Sequence, residues 1–473
     1  MARRAIVIGA WVLAACPGDD GGGGTGADAS TGRDTTTTGM ATTASLDESS
    51  GLATTSESTG TGTGTGPEPT TTGAPVMPMV LFPRTSILPE ELAVIVDDDD
   101  PLSVQIAQAY VAARGIPEGN VVHVSLPATD VLTPEVFGPI LADVQAHLDD
   151  EIQAQVLTFV QPYRVGCMSI TSAFALGYDP LCGGCVMTPP SPYYDSPSLR
   201  PWDDHGLRPT MMLAAQTLED AQALIERGLQ ADGVHPAGTA YLVRTTDVAR
   251  SVRWRQMQAL SEQWQGWDGL QVQYTDNADG SGTNTIEDAA DVMFYFTGLA
   301  NVAGIETNAY VPGAMADHLT SFGGQVPQSS QMSALRWLEA GATGSYGTVV
   351  EPCNYPEKFP HVGTAVSHYF RGETLVEAYW KSVAWPAEGL LIGEPLARPW
   401  DGSRVELQGE DLVITTNLLV PGVLYDVEAA DDPEGPWDHV LTGMVPYTVT
   451  LEIVIEGADR AWYRLVPQSE GRE

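Results

Sequence analysis

The fold of this chain is decided by residues 291–360, which run DVMFYFTGLANVAGIETNAYVPGAMADHLTSFGGQVPQSSQMSALRWLEAGATGSYGTVVEPCNYPEKFP. One apolar strand is predicted over 292–297 and a second over 345–350. Glycine-rich loops, a short histidine-bearing segment and a helix over 330–340 are predicted between them. Ligands of open α/β sheets bind at the carboxyl ends of the strands, and polar residues follow both strands here. We therefore expect residues near 300–320 and 351–361 to meet at one edge of a sheet.

These polar residues supply candidates for catalysis. A carboxylate beside an imidazole can tune it as a general base, and a cysteine near a histidine can act as a nucleophile. The candidate catalytic residues are Asp317, His318, Glu351 and Cys353. The loop after the second strand also carries Asn354, Glu357, Lys358 and His361. Helix capping or packing by His318, and a disulfide at Cys353, are the structural alternatives.

The remaining segments alternate between strands and helices. Strands are predicted over 93–96, 121–126, 156–160, 240–244, 270–274 and 390–394. Helices are predicted over 102–114, 135–148, 218–229, 249–263, 364–369 and 375–383. This alternation is typical of an α/β fold, with a mostly parallel wound sheet flanked by helices.

The pattern of the sequence changes near residue 401. Short strands separated by Gly, Asp and Pro turns are predicted over 405–407, 412–415, 424–429, 447–455 and 461–466, which favours a small all-β sandwich. The expected domains are a signal peptide over 1–15, a tether over 16–80, an α/β domain over 81–400 with a cysteine-containing insertion at 163–209, and a β-sandwich domain over 401–473.

The N-terminus has the pattern of an export signal. Two arginines precede an apolar run, and Leu13-Ala14-Ala15-Cys16 is similar to the cleavage site of a bacterial lipoprotein, with Cys16 as the lipidation site. An ordinary secretory signal is the alternative. Gly, Thr and Ser dominate 17–75, which contains no aromatic residue, so we expect a disordered tether. The predicted location is outside the cytoplasm, anchored by lipid to the outer membrane or cell surface.

The formal net charge is −39. Residues 17–75 contribute −7 and the signal +2, which leaves −34 for the rest of the chain. Such a field repels nucleic acid, so DNA and RNA are not expected partners. The expected partners are the membrane, through the lipid anchor, and an extracellular ligand or protein of unknown identity.

Four cysteines follow the lipidation site: Cys167, Cys182, Cys185 and Cys353. An even number in an exported chain predicts two disulfides, with three connectivities open. A four-cysteine zinc site and a redox pair are alternatives, because two of the cysteines have CxxC spacing.

Two acidic segments are candidates for binding a cation. Asp276 and Asp279 lie in a segment superficially similar to a calcium loop, but its glycine is at position five rather than six. The run 97–100 consists of four aspartates and could ligate a cation or complement a helix N-terminus. No cofactor is predicted beyond this weak calcium hypothesis. The insertion adds polar candidates: Arg164, Asp203, Asp204, His205 and Arg208.

Several motifs are missing from the sequence. It has no GxxxxGK[ST] phosphate loop, no GxSxG nucleophile elbow and no HExxH zinc motif. Nucleotide hydrolases of the Walker type, α/β-hydrolases and zinc peptidases are therefore not favoured.

Five segments resemble an uncharacterised family of exported bacterial proteins without assigned activity: PLSVQIAQAYVAARGIPEGNVV, PGAMADHLTSFGG, GATGSYGTVVEPCNYPEKFP, EAYWKSVAWP and GLLIGEPLARPW. More distantly, the order of elements is similar to the caspase-like fold of gingipain-type cysteine peptidases. That family carries Gly-His-Gly after one strand and a nucleophilic Cys after the next. Here Thr297-Gly298-Leu299 stands at the first place and Val311-Pro312-Gly313 at the second, so the resemblance implies a scaffold without the dyad.

The sequence thus predicts a caspase-like or flavodoxin-like sheet followed by a β-sandwich, on a lipid-anchored surface protein. Its expected role is binding or surface processing without standard cysteine-peptidase chemistry. A hydrolase that uses Asp317, His318 and the loop 351–361 is the alternative, and a calcium-dependent adhesin is a third class.

Overall fold

A computed structural model describes residues 77–446 and 449–468, together with the backbone of 5–8. Within this part of the chain, a ten-stranded sheet forms the centre. Its strands are β3 (Leu92–Asp97), β4 (Val121–Val124), β6 (Ala154–Leu157), β9 (Thr210–Met212), β10 (Gly238–Arg244), β11 (Leu270–Asp276), β12 (Val292–Thr297), β13 (Tyr310–His318), β14 (Gly344–Thr348) and β15 (Gly389–Gly393). Their order across the sheet is β11-β10-β12-β13-β14-β15-β9-β6-β3-β4.

The sheet consists of two parallel sets of strands that run in opposite directions. Strands β3, β4, β6, β9 and β15 form the first set, and β10 to β14 form the second. The sets meet at β14 and β15, which pair antiparallel from Gly344 with Gly393 to Thr348 with Gly389. The carboxyl ends of the two sets therefore lie at opposite edges of the sheet.

Both sets have the same strand order. In each, the second strand in the chain lies outside the first, and the third to fifth follow on the other side. This is the 2-1-3-4-5 order of flavodoxin-like sheets, so each set has its own switch point: β3 beside β6, and β10 beside β12. The predicted mostly parallel, wound α/β sheet is confirmed.

Helices flank the sheet as the alternation predicts. They are α1 (Pro101–Arg114), α2 (Pro134–His147), α3 (Ile170–Leu176), α4 (Pro201–His205), α5 (Leu218–Ala231), α6 (Trp254–Gln263), α7 (Leu335–Glu339), α8 (Val362–Phe370) and α9 (Leu375–Ser382). Local sequence sets their ends. For α1, Asp100 accepts a hydrogen bond from the backbone N–H of Leu102, Pro101 takes the first helical position, and Gly115 ends the helix at φ +65°.

The prediction for the segment between β12 and β14 was wrong in one respect. Glycine-rich loops and a histidine-bearing segment were expected there, but Tyr310–His318 is a buried strand. Its start is irregular: Val292 pairs with Tyr310, whereas Phe294 pairs with Met315. The extra residues include Pro312 and Gly313, whose φ is +90°, and these two made the sequence resemble a turn.

One disulfide links the insertion at 163–209 to the rest of the described chain, and a second closes a loop within the insertion. Two disulfides are present, Cys167–Cys182 and Cys185–Cys353. They bear out the expectation from the even number of cysteines and fit a protein that folds in an oxidising compartment. Two short strands also lie in this insertion, β7 (Arg164–Val165) and β8 (Met168–Ser169), and they form a small sheet with β5 (Val131–Leu132).

Two four-stranded sheets account for the C-terminal strands. Their members are β16 (Arg404–Gln408), β17 (Asp411–Thr416), β18 (Tyr425–Ala430), β19 (Asp438–Met444), β20 (Leu451–Ile455) and β21 (Trp462–Pro467), together with β1 (Ala5–Ile8) beside β20 and β2 (Met79–Leu81) beside β21. A cluster of buried apolar side chains that includes Ile414, Val427 and Tyr463 packs in this region. The expected all-β part is therefore present.

No helix among the described residues has the length and hydrophobicity needed to cross a membrane. The predicted lipidation site, Cys16, and the predicted tether up to residue 76 lie outside the described residues.

Candidate functional site

The carboxyl edge of the second strand set brings the two predicted ranges together through Arg253, a residue that sequence reasoning did not select. Arg253 is fully buried just before α6. Its guanidinium donates to the carboxylate of Asp317, to the carbonyl oxygen of Thr297 at 3.0 Å and to that of Pro360 at 3.1 Å. The ends of β12 and β13 and the loop 351–361 therefore meet around one cation, as expected, with β13 lying between the two predicted strands.

Asp317 is buried at the end of β13 and forms an ion pair with Arg253. Burial raises the pKa of this carboxyl group, although Arg253 acts in the opposite direction. Its second oxygen, Oδ2, has no hydrogen-bond partner among the described residues. Asp317 and His318 are neighbours in a strand, so their side chains point to opposite faces of the sheet. They do not form an acid–base pair.

His318 is enclosed and hydrogen-bonded at both ring nitrogens. Its Nδ1 accepts from the indole N–H of Trp337 at 2.9 Å, so Nε2 carries the proton that is donated to the carbonyl oxygen of Met332 at 3.1 Å. Burial lowers the pKa of His318 to about 3. The imidazole is therefore neutral at physiological pH, and both of its nitrogens are already occupied.

The end of β12 is closed by backbone. An added Cβ at Gly298 would lie 1.9 Å from the carbonyl oxygen of Arg250 and 2.4 Å from its carbonyl carbon. No side chain fits at this position without displacing the loop before α6. Thr297, the last residue of β12, pairs with His318 at the end of the neighbouring strand β13. Val311-Pro312-Gly313 lies at the opposite end of β13. Residues 311–313, which the resemblance compares with the cysteine position, therefore belong to the start of a strand that was not predicted.

The loop 351–361 contains no free thiol, because Cys353 is bonded to Cys185. Glu351 is exposed, and its carboxylate accepts the backbone N–H of Cys353 at 2.9 Å. Lys358 is fully buried in an ion pair with Glu388. The imidazole of His361 accepts the backbone N–H of Thr364 and so caps α8.

The polar candidates of the insertion are spread over local contacts. Arg208 stacks on Trp202 and donates to the carbonyl oxygens of Ile152 and Asp149. Asp203 pairs with Arg200. Asp204 accepts from Ser198, His205 contacts Ser196 Oγ at 2.9 Å, and Arg164 lies in β7.

The weak calcium candidates are used as turn residues. Asp276 accepts the backbone N–H of Ala278 and pairs with Arg244, and Asp279 accepts the backbone N–H of Ser281. Within the described ranges, no group of three or more His, Cys, Asp or Glu side chains is arranged to hold a metal ion.

An open cleft lies at the other edge of the sheet. It has a volume of about 540 Å³ and lies at the carboxyl ends of β3, β4, β6 and β9, at the switch point of the first strand set. Its lining comprises Asp97, Asp99, Asp100, Pro101, Leu102, Leu126, Pro127, Ala128, Thr129, Asp130, Val160, Gln161, Ala215, Gln216 and Pro327. The size is typical of small-ligand sites, and the position is where open α/β sheets bind ligands.

Three members of the aspartate run 97–100 line this cleft, namely Asp97, Asp99 and Asp100, and the four aspartates have different roles. Asp100 caps α1, Asp98 contacts His123 at 2.6 Å, and Asp99 accepts from Ser125. Asp97 is 5% exposed, and its Oδ1 accepts the backbone N–H groups of Leu126 and Asp99. Sequence reasoning noted this run but had no signal that would bring Asp130, Gln161 or Gln216 to the same cleft.

Comparisons with known proteins do not identify a family for this chain. No protein-family model matches the chain, and no curated protein matches it. A solved structure described as "Structure of Protease" aligns with a TM-score of 0.41 and 10% identity, covering 80% of this chain and 97% of that one. A likeness at this level carries no functional argument.

Proposed function

We propose that this chain is an exported, lipid-anchored surface protein that binds a ligand in the cleft of the first strand set. In this proposal it has no cysteine-peptidase chemistry at its strand ends. The scaffold resembles that of gingipain-type peptidases, and residues that pack the protein interior stand at the positions where that family has its catalytic residues.

The observation that carries this proposal is that the catalytic candidates at the carboxyl edge of the second strand set are already occupied by contacts within the protein. Asp317 and His318 are both buried and have protein partners, and Cys353 is in a disulfide. A nucleophile needs a base within hydrogen-bond reach and access to substrate. Among the described residues, the four catalytic candidates do not form such a pair.

The open cleft supports the binding part of the proposal. It is the region where ends of β3, β4, β6 and β9 leave room for a ligand, and its polar groups come from four separate segments of chain. The lining combines polar and charged side chains with apolar ones, and converging polar groups of this kind fix a ligand's orientation.

Peptide cleavage tests the absence of peptidase chemistry. The purified chain is incubated with a mixed peptide library at pH 5 to 9, and the products are followed by mass spectrometry. We expect no cleavage above that of a heat-denatured sample. Cleavage that persists through purification and disappears in His318→Gln, with the fold retained by circular dichroism, would establish the hydrolase instead.

Metabolic labelling tests the anchor. Cells that express the full chain are fed labelled palmitate, and incorporation is compared with that of Cys16→Ser. We expect label in the wild type and none in the variant, together with a shift of the variant from the membrane to the soluble fraction. Equal behaviour of the two proteins would contradict lipid anchoring.

A further inference from the structure

The cleft of the first strand set has a chemistry that selects among ligands. Its role as a binding site rests on the proposed function. Asp97, Asp99, Asp100 and Asp130 line it, and its lining residues, all in the described part of the chain, include no lysine or arginine. Apolar side chains complete the walls: Pro101, Leu102, Leu126, Pro127, Val160 and Pro327. The cleft is therefore both anionic and partly apolar.

Asp97 is the most buried of the four lining aspartates. Its Oδ1 accepts two backbone N–H groups, from Leu126 at 3.1 Å and from Asp99 at 3.2 Å. Its Oδ2 accepts no hydrogen bond from any described residue, yet the side chain lines the cleft and is almost entirely buried. This oxygen is open to a donor supplied by a ligand in the cleft.

The helix dipole of α1 opposes a cation at this place, since its N-terminus adjoins the cleft. That end is equivalent to about half a positive charge, and the cap Asp100 alone more than offsets it. The remaining carboxylates leave the cleft negative, in a chain whose net charge is −39. The field therefore attracts cations and repels anions.

A bare metal ion does not match these features. Divalent cations require several oxygen ligands converging within about 2.0–2.6 Å, and the described residues offer no group of three or more suitable side chains. The cleft is also far larger than a single ion, and its apolar walls would contact nothing. An organic cation with an apolar arm matches both the carboxylates and the walls.

We propose that this cleft binds organic ammonium or guanidinium groups, with Asp97 Oδ2 as the principal acceptor and the proline and leucine side chains holding the apolar arm. Two sources share this chemistry: the lysine or arginine side chains of an extended peptide, and free polyamines. Charge-assisted hydrogen bonds to the carboxylate supply the specificity, because a neutral analogue leaves Asp97 without its counterion.

The test is calorimetric titration of the full chain with three probes: a blocked Gly-Arg-Gly tripeptide, its citrulline counterpart, which has the same shape without the charge, and spermidine. We expect saturable binding of a cationic probe and at least about tenfold weaker binding of the citrulline peptide. Tighter binding of the tripeptide assigns the site to basic side chains, and tighter binding of spermidine assigns it to polyamines. Either result supports the proposal.

Two variants distinguish specific binding of the cation by Asp97 from general attraction by the negative charge of the protein. Asp97→Asn keeps an acceptor for the two backbone N–H groups and should weaken cation binding about tenfold or more. Asp143→Asn removes the same charge from a side chain that is 64% exposed on α2, and should change affinity less than about twofold. Should Asp97→Asn not fold, Ala128→Arg places a cation at an exposed lining position and should abolish binding.

Equal losses in Asp97→Asn and Asp143→Asn, or no saturable binding of either cation, would overturn the proposal. Equal affinity for the arginine and citrulline peptides would also overturn it. That last result leaves the proposed binding function standing, because a ligand still occupies the cleft, whereas peptide cleavage by the wild type would defeat the proposed function itself.

Discussion

Arg253 donates a hydrogen bond to the carboxylate of Asp317, and both side chains are shielded from solvent, with exposures of 0% and 1%. The pair joins the residue before α6 to the end of β13. It also fixes the edge at which β12, β13 and the loop 351–361 converge, because the same guanidinium binds the carbonyl oxygens of Thr297 and Pro360. Its role is therefore architectural.

Asp317→Ala should be strongly destabilising, because it leaves the guanidinium of Arg253 buried without a counterion. Removal of one partner of a buried ion pair costs about 3–5 kcal/mol. The double variant Arg253→Met/Asp317→Ala removes both charges and should lose much less than the sum of the single changes Arg253→Met and Asp317→Ala. Urea unfolding of the four proteins of this cycle measures the coupling, and additive losses would show that the two groups do not interact.

His318 should stay neutral across the physiological range. Its pKa is lowered to about 3 by burial, below the unfolded value of 6.5. A depressed folded pKa means that its contribution to stability is complete above pH 6.5 and is lost as the pH falls toward 3, because the unfolded chain takes up the proton first. The imidazole Hε1 resonance should not move between pH 8 and 5, and a midpoint near 6.5 would contradict the enclosed geometry.

The variant His318→Gln adds a stability measurement to this prediction. Trp337 loses the acceptor of its indole N–H, which should cost about 1–3 kcal/mol at pH 7. The loss should shrink at pH 4, since the wild type has given up part of its own stability there. The control is His147→Gln, whose side chain is 61% exposed, and it should leave the free energy of unfolding almost unchanged.

Sequence patterns predicted those elements whose signal is local. The run Val292–Thr297 is mostly apolar and forms β12, and α1 was predicted from its proline start and glycine end. Strand β13 was missed because Pro312 and Gly313 interrupt it, and β9 was missed because it has only three residues. The antiparallel junction of β14 and β15 has no local signature at all.

The candidate site was predicted less completely than the fold. The sequence analysis placed Asp317 and His318 in a segment that follows a loop, but they lie in β13, and their burial and partners depend on distant residues. Arg253 was predicted to be part of a helix, and nothing in its neighbourhood indicates a bond to Asp317, 64 positions later. The cleft likewise combines segments from Asp97 to Pro327, a set that only the folded sheet brings together.

The two disulfides should differ in how much they stabilise the chain. Cys167–Cys182 spans 15 positions and Cys185–Cys353 spans 168, so loop-closure entropy favours the second. In the chain-entropy model the contributions are about 3 and about 5 kcal/mol. Paired Cys→Ala variants, compared by urea unfolding, should follow this order. The reverse order would show that contacts of the insertion, rather than chain entropy, dominate the effect.

Gly298→Ala tests whether the end of β12 is closed by backbone. The new methyl group would overlap the carbonyl oxygen of Arg250, which is backbone and cannot rotate away. Displacement of that loop also strains the neighbouring Arg253, so we expect a loss of about 3 kcal/mol or more. Gly119→Ala is the matched control, because a Cβ there has no neighbour within 4 Å. If both variants unfold at the same urea concentration as the wild type, the end of β12 is open enough to accept a side chain, and the steric closure inferred at Gly298 is wrong.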